Sequence, residues 1–81
     1  DIPLLREALA DAHPRVRARA AQALGLLDAT SSVPDLLKLL RDEDRDVRQE
    51  AAASLARITR KDFGQDADAW EGWWRSQDSG P

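Results

Sequence analysis

Apolar residues recur along this chain at helical spacing, and the pattern then repeats 31 positions later. Val16, Ala20, Ala23, Leu24 and Leu27 fall on one side of a helix. Val47, Ala51, Leu55 and Ile58 form the same stripe further on. The stretch PRVRARAAQALGLL, Pro14 to Leu27, returns as RDVRQEAAASLARI, Arg45 to Ile58. The register also holds upstream, where Pro3, Leu5, Leu9 and Asp11 correspond to Pro34, Leu36, Leu40 and Asp42. The repeated unit is therefore a helix pair. A period of this length predicts stacked units that cannot each bury an apolar face alone.

Taken in order, the pattern predicts a first helix capped by Asp1, with Pro3 in its first turn, an apolar face of Leu5, Ala8 and Leu9, and an end near Ala10. A turn at Asp11 to Pro14 leads into the second helix, where Ala18, Ala20, Ala21 and Ala23 permit close approach of a neighbour. A polar connector from Asp28 to Ser32 supplies Ser31 or Ser32 as the next N-cap. The third helix, about Val33 to Arg41, is apolar on more than one side through Leu36, Leu37, Leu39 and Leu40, and should be covered on more than one side. The fourth runs from about Arg45 to Thr59. The repeat then stops. Gly64 breaks a short link, and Asp66 caps a fifth helix, Ala67 to about Gln77, carrying Trp70, Trp73 and Trp74 on one face. The tail from Asp78 to Pro81 is expected to fray.

Eighty-one residues without cysteine leave packing as the means of stabilising a small core. No apolar run approaches the roughly 20 residues of a membrane-spanning helix, so no membrane partner is expected. The chain opens on Asp1 rather than Met, which reads as the edge of an excised or processed piece and leaves the compartment open. The formal net charge of −3 lies in the last segment, 61–81, where five acids face Lys61 and Arg75. No clustered positive charge suggests nucleic-acid binding.

The helix pair with an early proline, the turn pattern Asp11, Val16, Arg17 with its copy Asp42, Val47, Arg48, and the pattern Ala20, Ala21, Leu24 with its copy Ala51, Ala52, Leu55 resemble the HEAT-repeat family, in its short bacterial form. The resemblance covers residues 2–59. It implies an all-α, right-handed α-solenoid of about two helix pairs whose second helices line the concave side. It further implies a ladder of Asp11, Arg17, Asp42 and Arg48 between repeats, and a function in binding other macromolecules. On this reading residues 1–60 are two repeats and 61–81 a linker with a capping helix. The first helix has no equivalent cap, so the chain reads as the C-terminal part of a longer solenoid, or as one that self-associates through that helix.

Candidate chemistry is sparse. Arg15 and Arg19 share a helix face, and their counterparts are Asp46 and Glu50, so complementary pairing between the repeats is the first expectation. The three tryptophans suit a buried capping face better than a stacking platform, although an indole left partly exposed would make a binding hot spot. His13 stands alone beside a turn proline, too few nitrogen and sulfur ligands for a transition-metal site, and no Ser-His-Asp relay can be assembled around it. The acids at 42–46 lack the glycine and distal glutamate of a calcium loop. No cofactor is expected. These observations point to a non-catalytic interaction or scaffold module for a protein partner, contacted by Arg15, Arg19, Gln22, Asp46, Glu50, Ala53 and Arg57. The alternative, from relatives by resemblance, is a fragment of a chromophore lyase or chaperone.

Overall fold

The computed structural model describes residues 2–78. The capping role expected of Asp1 and the fraying expected of 79–81 lie outside the described residues, whereas Asp78, expected in the frayed tail, is the last residue of the final helix. Five α-helices follow in order: α1 (Ile2–Ala8), α2 (Pro14–Leu26), α3 (Val33–Leu39), α4 (Arg45–Thr59) and α5 (Ala67–Asp78). A 3-10 turn at Thr30–Ser32 precedes α3. There are no strands among the described residues. α2 packs along α4, and each packs against the short helix before it.

The 31-residue repeat is visible at the level of single hydrogen bonds. In the first turn the Asp11 carboxylate accepts from the amide of His13 at 2.9 Å, and in the second the Asp42 carboxylate accepts from Asp44 at 2.9 Å. Arg17 Nη1 donates to the carbonyls of Asp11 and Ala12 at 2.7 and 3.1 Å, and Arg48 Nη1 to those of Asp42 and Glu43 at 2.8 and 3.1 Å. An Asp that folds its own turn and an Arg that ties down that turn's carbonyls define each connection. The N-caps differ: Asp44 caps α4 by accepting from the amides of Asp46 and Val47, whereas His13 gives α2 no side-chain cap. α2 ends in a Schellman arrangement, with Ala29 N bonded to Leu24 O and Asp28 N to Gly25 O. Asp28 takes the left-handed conformation there (φ 53°) that glycine usually supplies.

The core runs from Leu9 through α2, α3 and α4 to Trp70. As expected, α3 is covered on several sides, with Leu36, Leu37, Leu39 and Leu40 all buried. In α4, Val47, Ala51 and Leu55 are buried and Ile58 is half-buried. The stripe expected on α2 needs correction. Ala20 and Leu24 are buried, but Val16 and Leu27 are exposed, and Ala21 and Gly25 take their place in the core. The buried face of α2 is the one turned to α4. The closest approach falls at Gly25, where a Cβ would lie 2.7 Å from Ser54 Cβ and 2.9 Å from its Cα. Ser54, fully inside, donates to the carbonyl of Ala21 at 2.5 Å.

The connector also differs from expectation. Ser32 precedes α3 but caps nothing, because the 3-10 turn directs its hydroxyl into the core without a hydrogen-bond partner. α1 is shorter than expected, ending at Ala8. At the other end, Asp66 accepts from Ala69 N at the start of α5, Gly64 takes a left-handed turn (φ 58°), and its carbonyl accepts from Trp70 Nε1 at 2.8 Å. Trp70 is wholly buried, edge-on to Phe63 at 4.9 Å, while Trp73 and Trp74 are partly exposed. α3 ends at Leu39, two residues before the expected Arg41, and Arg41 in the turn that follows donates to Asp68 and Glu71 and so ties α5 to the end of α3. These carboxylates hold its guanidinium pKa above the usual value, Glu71 contributing most.

Candidate partner-binding groove

The packing of α2 along α4 leaves a shallow groove between their outer faces, and its walls come from the repeat itself. At its first end a hollow of about 280 Å³ is lined by Pro14, Arg15, Ala18 and Arg19 from α2 and by Asp44 and Asp46 across from them. In the middle, about 190 Å³ is enclosed by Gln22, Leu26, Glu50, Ala53, Ser54 and Arg57. At the far end, where α2 and α4 both terminate, about 390 Å³ is bounded by Leu26, Asp28, Ala56, Arg57 and Arg60. The structure thus places Arg15, Arg19 and Asp46 together at one end, and Gln22, Glu50, Ala53 and Arg57 together in the middle.

The charges on these walls do not neutralise one another. Complementary pairing of Arg15 with Asp46 and of Arg19 with Glu50 was the expectation, yet the ion pairs among the described residues are Arg6 with Asp35, Arg17 with Asp42, and Arg41 with Asp68 and Glu71. The physical reason is the route taken by the closest packing. α2 and α4 meet through Ala21, Gly25 and Ser54, so the arginines and acids stand on the rims beyond ion-pair range. Three features of the groove were not singled out from the sequence: the exposed Leu26, the polar floor at Ser54, and Arg60, held by a left-handed backbone (φ 66°) at the end of α4. Leu26 carries a signal in hindsight, because its repeat counterpart is the charged Arg57.

Two ion pairs bridge the repeats: Arg6 with Asp35 joins α1 to α3, and the pair that lies on the opposite side of α2 from the groove is Arg17 with Asp42. Arg17 grips Asp42 with two bonds, Nε to Oδ2 at 2.9 Å and Nη2 to Oδ1 at 3.0 Å, and both side chains are nearly enclosed. Of the ladder implied by the resemblance, this is the one rung between the pairs. The Asp11 carboxylate serves its own turn, and Arg48 engages carbonyls only. Burial alone would push the Asp42 carboxyl up, but hydrogen bonds from Arg17 and the Asp44 amide, together with the charges of Arg17 and Arg48, outweigh it and hold it below its ordinary value. A depressed carboxylate adds stability that is complete above the unfolded pKa, about 3.9, and is lost as the pH falls through the lower folded value. Asp42→Asn is therefore expected to lower the unfolding midpoint at pH 7 and to flatten the loss of stability below about pH 4. Urea titrations of both proteins across the acid range would check this; equal slopes would remove Asp42 from the account.

Among the described residues, no group of three or more His, Asp or Glu is placed to hold a metal ion, and His13 is exposed. No helix among them is long and apolar enough to cross a membrane. No curated protein and no solved structure matches the chain. The family model for HEAT repeats matches residues 2–70, spanning both helix pairs and the first turn of α5. With the 31-residue register of turns, helices and hydrogen bonds, that match makes the chain a member of the HEAT-repeat family.

Proposed function

We propose that this chain is a non-catalytic interaction module in which the α2/α4 groove receives a protein partner. HEAT repeats generally mediate protein–protein contacts and scaffolding. The observation that carries the reading here is the groove itself, whose rims present Arg15, Arg19, Asp46, Glu50 and Arg57 with no ion pair among the described residues. Charges already spent on each other offer a partner little. Charges of both signs, fixed on a packed scaffold and left unpaired, offer complementarity and set its orientation. Exposed Leu26, between Gln22 and Arg57, adds an apolar anchor.

In finer terms, we read the two helix pairs of residues 1–60 as successive turns of a right-handed solenoid with α2 and α4 on the concave side. Residues 61–81 close its end, and the whole is the C-terminal part of a longer HEAT-repeat protein. The test is affinity capture from the source lysate, comparing the native chain with a variant in which Arg15, Arg19, Asp46 and Glu50 are all alanine and whose helicity and unfolding midpoint match the native chain's. A protein held by the native chain and lost from the variant supports the groove. Equal retention by both overturns it.

A further inference from the structure

The outward face of α4 carries its charges in two blocks of opposite sign. Asp46 and Glu50 stand before Ala53 and Arg57 and Arg60 after it, at a spacing that keeps all five on one side of the helix. They line the groove toward α2, and none of the four charges is in an ion pair among the described residues. Like charges three or four residues apart on a helix repel, so each block is unfavourable within one chain. Acids at the start of α4 and bases at its end do suit the helix dipole. α2, however, opens its rim with Arg15 and Arg19 and closes it at Asp28, the unfavourable order. The dipole therefore accounts for one rim and not the other. What both rims share is a change of sign between their ends, in opposite senses.

A stripe whose sign reverses about its own centre is complementary to itself when turned end for end. We infer that the partner received by the α2/α4 groove is a second copy of this chain, seated face to face and antiparallel about a two-fold axis near Ala53 and Gln22. Asp46 lies seven residues before Ala53 and Arg60 seven after, while Glu50 lies three before and Arg57 four after. Antiparallel α4 helices thus set Asp46 against the Arg60 of the second copy and Glu50 against its Arg57, and the two-fold makes each contact twice. On the other rim Arg15 and Asp28 lie seven before and six after Gln22, and they too meet between copies. Leu26, 61% exposed in the single chain, falls on the aliphatic stem of the second copy's Arg19. Ala53 offers only a methyl at the centre, which lets the two α4 backbones approach, and antiparallel helix dipoles attract.

The inference rests on the reading of the groove as a protein-binding surface and names its occupant. Sedimentation of the purified chain over a wide concentration range, at low and high salt, tests it. A monomer–dimer equilibrium weakened by salt is expected, because exposed ion pairs are screened. Glu50→Arg or Arg57→Glu alone brings like charges together twice and should raise the dissociation constant about tenfold or more. Mixed, the two variants should associate with each other, and the double variant, with the signs exchanged, should recover self-association. Because the chain lacks cysteine, Ala53→Cys should oxidise to a disulfide-linked dimer faster than Ala12→Cys, an exposed position in the first turn. A chain that stays monomeric, a dimer that survives Arg57→Glu, or no recovery on mixing overturns the proposal. So does a dimer that Val16→Lys abolishes and Glu50→Arg leaves intact, since the α1/α2 face would then be the interface. A monomeric chain whose groove still captures a different protein from lysate would sink this inference and leave the protein-binding reading standing; a monomeric chain that captures nothing would sink both.

Discussion

Gly25→Ala is expected to destabilise the protein by about 2–3 kcal/mol, against the usual direction of glycine-to-alanine changes inside helices. In an exposed helix interior alanine gains up to about 1 kcal/mol over glycine. At Gly25 the added methyl has nowhere to go. It would overlap the Ser54 side chain, 2.7 Å from Cβ, and stand 2.9 Å from the Ser54 Cα, which belongs to the backbone of α4. A flexible side-chain end can turn aside, but two packed helices can only separate. Separation lengthens the Ser54 to Ala21 hydrogen bond and loosens Ala21, Leu24, Ala51 and Leu55 together. Gly72 supplies the control, since an alanine methyl there meets nothing within 4 Å. Urea titration should show Gly72→Ala stabilised by up to about 1 kcal/mol and Gly25→Ala losing more than that. If both variants gained, the close approach of α2 and α4 would not be a feature of the folded protein.

Trp70→Ala is expected to have the largest effect of any single truncation, about 3–5 kcal/mol. The net stability of a domain of this size is about 4–12 kcal/mol, so this is a large fraction of the whole. The indole is fully enclosed, sits edge-on to Phe63 and Trp73, and satisfies the Gly64 carbonyl at the turn before α5. Removing it opens a cavity and also unties the link that aims α5 at α3. Trp70→Phe separates the two contributions, because it keeps most of the buried area but loses the N–H donor. Its expected cost is about 1–3 kcal/mol. Far-UV circular dichroism would follow both variants. A Trp70→Ala protein with the native midpoint would mean that α5 contributes nothing to the stability of the helices beneath it.

These effects divide by what was legible in the chain. The repeat was legible because it is written in residues that act locally: an aspartate that folds its turn, a proline in the first helical turn, and apolar residues at helical spacing. The fifth helix was legible through Asp66, Gly64 and the tryptophan spacing for the same reason. Gly25 was not singled out, since a glycine inside a helix reads as a weakness until the neighbouring backbone is seen against it. The pairing of Arg15 and Arg19 with Asp46 and Glu50 followed from sequence register alone, and register says which residues are level with one another, not how far apart their helices hold them.

The sequence by itself determined the five helices, the two aspartate turns within the helix pairs and their 31-residue register, because local hydrogen bonding and hydrophobic period depend on near neighbours in the chain. Only the tertiary structure decided which face of α2 is inside. A stacked helix has two flanks, and the one buried is the one that has a neighbour. Val47 is enclosed because α2 lies beside it, and Val16, the same residue in the same local pattern, is open because nothing among the described residues does.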